Sequence, residues 1–302
     1  ICSDIEAIAE VVHNAGKVLI VDQAHGAHLH FFHKYGAGDD MPESAEMSGA
    51  DIVVGSTHKT LASLTQSAIL NLCSDRVDRY VLEDKLQAVQ STSPSYVLMA
   101  SLDINAEILE KHGQQLMNKW RENLDRFYIE AANIKGLNIM KTDMMDDTKI
   151  NLDMGAYGIT GGQLEKLLME KNIYTELNTG DILMCMTGIG NTRSDLEKLL
   201  KALEEIAAEN GTAEKSKTQR NVVIPKGGRM HPVPKYKEFV KLEDAAGRVC
   251  AGSIIPYPPG IPFVCPGEEI SGETCAYIKA LRDAGEKVIG VNDKGQVLVG
   301  RE

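Results

Sequence analysis

Short apolar runs separated by polar loops divide the first third of the chain into alternating helices and strands. Residues 3–16 predict a helix that Ser3 can cap and Gly16 can end. The runs KVLIVD, DIVVGS and QSAILNLC follow as short, continuously apolar strands, and a further helix is predicted from about Arg76 to Ala88. Continuous apolar runs are typical of parallel strands that are buried on both faces. We therefore expect part of an α/β layer with a mainly parallel sheet.

The middle of the chain changes to a different pattern. A long helical tract from about Ser95 to Asn133 precedes short strand-like and helical segments, in which Thr160 is a possible helix cap. Residues 192–208 predict an amphipathic helix with an apolar stripe of Leu196, Leu199, Leu200, Leu203 and Ile206. This order indicates a small α+β unit separate from the first sheet.

The last part of the chain begins with a polar segment, GTAEKSKTQRN, which is the best candidate for a linker. It is followed by IIPYPPGIPFVCPGEEI, predicted as a rigid proline-rich loop between short strands, in which Glu268 is a candidate substrate contact. The acidic segment TDMMDD at residues 142–147 is predicted as a solvated turn.

Composition narrows the classes of function. The chain has 302 residues and a net charge of −11, which argues against nucleic acid as the main partner. No apolar run reaches the roughly 20 residues of a membrane span. The six cysteines lack CxxC or zinc-like spacing, which favours a reduced, cytoplasmic setting. Since the chain starts at Ile1 without a methionine or a lead-in strand, we expect it to be a fragment.

Two residues carry the candidate chemistry. Asp22 ends KVLIVD and Lys59 follows DIVVGS, so both lie at the carboxyl ends of predicted parallel strands, where open α/β sheets bind ligands. Pyridoxal phosphate needs a lysine amine for its aldehyde and a carboxylate beside its ring nitrogen. Taken singly, the aspartate is more often a turn or cap residue and the lysine a solvated charge. Together, in these two contexts, they predict a pyridoxal phosphate site.

Neighbouring residues extend this prediction. Ser56 and His58 can direct donors at the cofactor phosphate, Ala24 is small enough for a ring to lie against it, and His25 can touch the ring. The run HGAHLHFFH also suggests a metal, but its histidine spacings of three, two and three do not match a helical metal site. We therefore predict no metal, with His28, His30 and His33 packing or facing water.

Four stretches of the chain resemble a known family. VDQAHGAH, ADIVVGSTHKTLASLTQSA, QSTSPSY at 90–96 and PYPPGIPFVCPGE at 256–268 resemble the fold-type I ornithine/lysine/arginine decarboxylases. The resemblance covers essentially all of the chain. It implies the PLP-dependent transferase-like (aspartate aminotransferase, fold type I) architecture, with a partial large domain at 1–130, a small α+β domain at 131–212 and a C-terminal domain at 213–302.

The resemblance also implies roles. Lys59 is similar to the Schiff-base lysine, Asp22 to the pyridinium partner, and Ser56 and His58 to phosphate ligands, with His58 also near the substrate. Thr92 resembles a position that reaches the cofactor or substrate across a dimer interface, although Ser91 and Ser93 could fill it equally well. In such enzymes much of the phosphate site and the ring-stacking residue precede the stretch that starts here.

The function that these observations predict is PLP-dependent decarboxylation of a basic amino acid (arginine, lysine or ornithine) to its amine and CO2, by a cytoplasmic homodimer or higher homo-oligomer in polyamine biosynthesis. The fragment itself could be inactive. One alternative is an aminotransferase or another fold-type I lyase, for which Arg193 is the only visible carboxylate ligand. The other is a scaffold or inactive partner in an oligomer.

Overall fold

The computed structural model describes residues 2–38, 40–211, 224–257, 260–283 and 287–301. The chain divides into two units, Ile1–Lys215 and Ser216–Glu302. Apart from Gly211, the predicted linker GTAEKSKTQRN lies outside the described residues.

The first sheet of the larger unit has three strands in chain order: β1 (Ile20–Asp22), β2 (Ile52–Gly55) and β3 (Ile69–Leu72). β1 and β2 are parallel, with Asp22 opposite Val54. The helix α1 (Ile5–Asn14) precedes β1 and is capped by Asp4 rather than Ser3, because the Asp4 carboxylate accepts from the Ala7 N–H at 3.0 Å.

The predicted burial of β1 and the predicted direction of β3 are wrong. Ile20 of β1 is 63% exposed, because β1 is the edge strand of this sheet among the described residues. β3 is antiparallel to β2. A parallel return needs a long crossover, usually a full helix, and the connection to β3 contains only the four-residue helix α3 (Thr57–Thr60). The continuous apolar runs therefore predicted where these strands lie, but neither how deeply they are buried nor in which direction they run.

Three other helices complete this part: α2 (Leu29–Lys34), α4 (Arg79–Val89) and α5 (Tyr96–Ala131). α5 is the long helix predicted from the sequence, and its buried residues recur along one side from Ser101 to Ala131. By contrast, residues 79–100 include no buried side chain. We call this stretch, which spans α4 and the start of α5, the exposed apolar surface; its large exposed side chains are Tyr80, Val81, Val89, Tyr96, Val97 and Met99.

The second sheet is antiparallel throughout and has the order β4-β5-β7-β6. Its strands are β4 (Asn138–Ile139), β5 (Lys149–Asp153), β6 (Leu177–Thr179) and β7 (Ile182–Met186). The helices α6 (Gly161–Glu170) and α7 (Arg193–Asn210) belong to the same part of the chain. Thr160 caps α6 in a capping box with Gln163, and the predicted apolar stripe of α7 is buried.

The main apolar core of this unit lies around the second sheet and its helices, whereas Val53 of the first sheet packs in a separate small cluster with Ala45 and Ala50. The main core extends from Phe32 of α2 through Met117 and Trp120 of α5 to Leu203 of α7. The predicted boundary after residue 130 falls inside α5, which ends at Ala131, and stays a prediction. No described helix has the length and apolar character that a bilayer span requires.

The smaller unit contains α8 (Gly272–Asp283) and two antiparallel strand pairs, β8 (Lys237–Lys241) with β11 (Gln296–Gly300) and β9 (Ile255–Tyr257) with β10 (Lys287–Ile289). Pro258 and Pro259 of the predicted proline-rich loop lie outside the described residues. Both carboxylate oxygens of Glu268 accept backbone N–H groups, from Gly228 at 2.8 Å and Cys265 at 2.9 Å. These bonds account for the burial of Glu268 in the fold of this unit.

Candidate functional site

The parallel pairing of β1 and β2 brings the two predicted reactive residues to one edge of the first sheet, the edge at which both strands end. Asp22 is the last residue of β1 and lies opposite Val54, while Lys59 lies in α3, directly after the end of β2. The charges of Asp22 and Lys59 both act on the imidazole of His25. Burial lowers the pKa of its imidazole, Lys59 lowers it further, and the Asp22 carboxylate raises it. Asp22, His25 and Lys59 therefore share one electrostatic environment.

The Asp22 carboxylate is open on one side. Its Oδ1 atom accepts the Ala24 N–H at 3.0 Å, and the side chain is exposed. The next residue, Gln23, is fixed from both ends of its amide: Oε1 accepts the Ala45 N–H at 2.6 Å and Nε2 donates to Glu46 at 3.0 Å. The backbone after β1 is thus anchored while the Asp22 carboxylate can still accept another donor.

The Lys59 amine has no ionic partner among the described residues, although the side chain is half-buried. Its helix is fixed from outside, since the Thr60 carbonyl accepts the Ile189 N–H at 2.9 Å. A Cβ atom at Gly188 would lie 3.2 Å from the same carbonyl, so glycine permits this close approach. An unpaired, half-buried amine on an anchored helix is suited to covalent chemistry.

A chain of hydroxyl groups organises the loop after Lys59. Ser63 Oγ donates to Thr57 Oγ1 at 2.6 Å, and Ser67 Oγ lies 2.7 Å from Ser63 Oγ. The Ser67 carbonyl lies 2.8 Å from Nδ1 of His58, and because a carbonyl only accepts, that nitrogen carries the proton. Gln66, just before Ser67, has a φ of 80°, a left-handed conformation that is uncommon for this residue type. The loop thus fixes the His58 ring and leaves its Nε2 atom as the reactive nitrogen.

Thr92 forms no described hydrogen bond to the residues at this edge of the sheet, Asp22, His25 and Lys59 among them. It is exposed in the segment between α4 and α5, within the exposed apolar surface. Arg193, considered as an aminotransferase ligand, forms an i,i+4 ion pair with Glu197 at 2.6 Å on α7.

The other histidines of HGAHLHFFH have separate surroundings. His28 is fully buried and lies 3.1 Å from Asp146, while Nε2 of His33 lies 3.2 Å from the Pro42 carbonyl. Across the described ranges, no group of three or more His, Cys, Asp or Glu side chains is arranged to hold a metal ion.

Sequence reasoning missed several residues near this edge. Met145, Asp146 and Asp147 are 6%, 8% and 6% exposed, so the prediction that TDMMDD is a solvated turn is wrong for its last three residues. Lys149 donates to the His25 carbonyl at 2.7 Å, and the Glu176 charge raises the pKa of His25 against the larger effect of burial. The only signal in the sequence was a lysine at the start of an alternating strand, which also fits a solvated residue.

The donor set at this edge fits pyridoxal phosphate. The site combines an unpaired amine, an open carboxylate at the end of the neighbouring strand, and an imidazole whose pKa is lowered chiefly by burial. These groups match the aldehyde, the ring nitrogen and the ring face of that cofactor.

The chain is similar to known proteins over most of its length. Residues 1–152 match the family model of the Orn/Lys/Arg decarboxylase major domain, and residues 208–298 match that of the C-terminal domain. Arginine decarboxylase of Bacillus subtilis is 34% identical over 97% of this chain and 61% of its own length. The chain therefore spans about three fifths of the length of the curated relative it matches.

Solved structures show a similar fold. Constitutive lysine decarboxylase of Escherichia coli has a TM-score of 0.73 at 20% identity, covering 93% of this chain and 54% of the other. Alanine–glyoxylate aminotransferase of Nostoc has a TM-score of 0.51 at 18% identity, covering 67% of this chain and 57% of the other.

Proposed function

Because the chain belongs to the Orn/Lys/Arg decarboxylase family, we propose that its Asp22–Lys59 site serves pyridoxal-phosphate-dependent decarboxylation of a basic amino acid. The resemblance noted in the sequence is confirmed, and so is the fold: a mixed α/β chain similar to lysine decarboxylases and fold-type I aminotransferases. Since the chain covers 61% of its arginine decarboxylase relative, we assign the activity to the whole protein, of which these residues form part.

The observation that carries the proposal is the unpaired Lys59 amine at the same end of the parallel β1–β2 pair as the open Asp22 carboxylate. Pyridoxal phosphate, when bound, supplies an electron sink for the electron pair released at the substrate's α carbon. Lys59 would hold the cofactor through its ε-amine, and Asp22 would keep a proton on the ring nitrogen. Ala24 and His25 would lie against the ring, and Ser56 and His58 would bind the phosphate.

The same residues handle protons during the reaction. His58 keeps its Nδ1 proton on the Ser67 carbonyl, so Nε2 is the atom that can give or take one. The amine of Lys59, which has no carboxylate partner within the described ranges, is the second candidate for returning a proton to the α carbon.

The substrate class follows from charge. The net charge of −11 and the Glu176 carboxylate near His25 favour a cationic substrate over an acidic one. Arginine, lysine and ornithine all meet this condition, and arginine is the first to test because the 34% identical relative is named an arginine decarboxylase.

We also propose that the protein acts as a homodimer or higher homo-oligomer in the cytoplasm. The exposed apolar surface, residues 79–100, presents aromatic and branched side chains without any buried residue. Thr92 lies within it. The family resemblance implies that Thr92 would then reach the neighbouring copy's site.

The first test adds pyridoxal phosphate to the full-length protein and records its visible absorbance, then measures amine and CO2 from arginine, lysine and ornithine. We expect a coloured protein that releases the amine of one of them, and Lys59→Ala to abolish the colour and lower turnover at least about a thousandfold. Exposed Lys17 serves as the matched control, and Lys17→Ala should change neither readout.

A protein that stays colourless would support the scaffold alternative, and a keto acid product in place of the amine would support an aminotransferase. Normal turnover in Lys59→Ala would contradict the assigned role of the lysine.

A further inference from the structure

A buried polar cluster lies behind the candidate site and is not used by the chemistry proposed above. It contains His28, Asp146, Thr148 and Lys149, whose side chains are buried or nearly so. Asp146 lies 3.1 Å from His28 Nε2 and 2.8 Å from the Lys149 ammonium. Asp146 Oδ1 accepts from the Thr148 hydroxyl at 2.6 Å and from its N–H at 2.9 Å. We call these four residues the Asp146 cluster.

The hydrogen bonds fix the charges of the cluster. The Thr148 hydroxyl gives its proton to Asp146, so it accepts from His28 Nε2 at 3.1 Å and from Lys149 at 2.9 Å. His28 therefore carries its proton on Nε2, while its Nδ1 is buried without a partner. A charged His28 would leave a buried donor unpaired, and burial lowers its pKa, so the ring is neutral. The cluster then holds one anion, Asp146, and one cation, Lys149.

The Lys149 ammonium directs one more bond out of the cluster. Of its three protons, one goes to Asp146, one to Thr148 and the third to the His25 carbonyl at 2.7 Å. His25 and His28 belong to the same turn, in which Gly26 N–H donates to Gln23 O at 2.9 Å and Leu29 N–H to Gly26 O at 3.0 Å. Lys149 at the start of β5 and Asp146 just before it thus contact the middle and the end of the turn that follows β1.

The start of the turn is held separately, because Gln23 is bonded to Ala45 and Glu46. Between Gln23 and His28, the Lys149 contact fixes the position of the His25 backbone. A charged donor on a carbonyl is among the stronger hydrogen bonds in proteins, and burial of Lys149 protects it from screening by solvent.

We infer that Lys149, held by Asp146, is a positioning residue for the turn that carries His25, and so sets where the ring-facing side of the site lies. Its role toward the cofactor rests on the proposed function, whereas its effect on the turn does not. A charge placed there only to stabilise the fold would leave the conformation of the His25 turn unchanged when it is removed with its partner.

The test uses the full-length protein without cofactor. Lys149→Met should speed amide hydrogen exchange of residues 24–29 about tenfold, because the turn loses its central anchor. It should also raise the pKa of His25 in an NMR titration, because one nearby cation is removed while Lys59, Glu176 and Asp22 stay in place.

Two further variants make the result decisive. Lys141→Met is the matched control, since Lys141 pairs with Asp147 at 2.7 Å in the same segment and makes no described contact with the turn; it should change neither readout. The double variant Asp146→Asn/Lys149→Met leaves no unpaired buried charge, so it guards against unfolding of the single variant. It should still loosen the turn.

Unchanged amide exchange of residues 24–29 in the folded double variant would overturn the inference. A final arm adds pyridoxal phosphate: we expect weaker visible circular dichroism of the bound cofactor in Lys149→Met than in Lys141→Met. If the unaltered protein fails to bind the cofactor, the proposed function fails, while the cofactor-free measurements still decide the role of Lys149.

Discussion

At the scale of single residues, buried carboxylates at the starts of strands hold the elements together. Asp51 is fully buried just before β2 and accepts from the Leu19 N–H at 2.7 Å, from His13 at 2.9 Å and from the Ser74 hydroxyl. These donors come from the connection before β1, from α1 and from the end of β3. One carboxylate thus joins three neighbouring segments.

This arrangement predicts a pH dependence of stability. Burial raises the pKa of Asp51, but the bonds from Ser74, Leu19 and His13 outweigh it and lower the pKa from 3.8 to about 2. A carboxyl whose pKa is lower in the folded state stabilises above its unfolded pKa and loses this contribution as the pH falls. We expect the free energy of unfolding to drop between about pH 4 and pH 2.

Asp51→Asn should remove that drop and lower stability at neutral pH. Thermal melts of both forms from pH 7 to pH 2 measure it, and Asp84→Asn, at an exposed carboxylate on α4, is the control. Parallel pH profiles for the unaltered protein and Asp51→Asn would show that the carboxylate does not stabilise the fold through its charge.

At the scale of elements, α5 is the helix on which the larger unit packs. Tyr35, which follows α2, donates its hydroxyl to the Leu109 carbonyl of α5 at 2.6 Å. Its ring lies over Gly113, where an added Cβ would be 2.6 Å from ring atom Cζ. Glycine at 113 is therefore a packing requirement in the interior of a long helix, where it is otherwise unfavourable.

Gly113→Ala should lower the free energy of unfolding by about 1–3 kcal/mol, because the ring must move and lose its bond to Leu109. Gly162→Ala in α6 is the control, since its added Cβ meets only Asn178 at 3.6 Å, and it should be neutral or stabilising. Denaturant unfolding in a Tyr35→Leu background completes the double-mutant cycle. Equal costs of Gly113→Ala with and without the Tyr35 ring would refute this account.

The elements also show which structural features could be predicted from the sequence and which could not. The helical periodicity of α5 and α7 predicted both helices and the buried stripe of α7, because a period of 3.6 residues is a local property. Asp22 and Lys59 were located because the ends of apolar runs are also local. The direction of β3 and the burial of Asp146 were not predicted, since both depend on contacts between residues far apart in the chain.

At the scale of the whole molecule, the exposed apolar surface stands apart from the packed core. α4 has 11 residues and no buried side chain, and an isolated helix of that length is marginal in water. Packing by a second copy, as proposed above, would supply the missing burial.

Val97→Glu tests that contact. Val97 is 66% exposed, so a charge there should leave the fold intact but would be buried without a partner between two copies. We expect self-association to weaken at least about a hundredfold in sedimentation experiments. Ile129→Glu, at a position 70% exposed near the other end of α5, should assemble normally. Normal assembly of Val97→Glu would instead assign this face to another occupant.

The bond between Lys149 and the His25 carbonyl has an evolutionary consequence. It joins residues 124 positions apart in the chain, one after β1 and one in β5. A recombination crossover anywhere between them would pair the turn of one parent with the lysine of another. Chimaeras of related genes should therefore tolerate exchange best when both residues are inherited together.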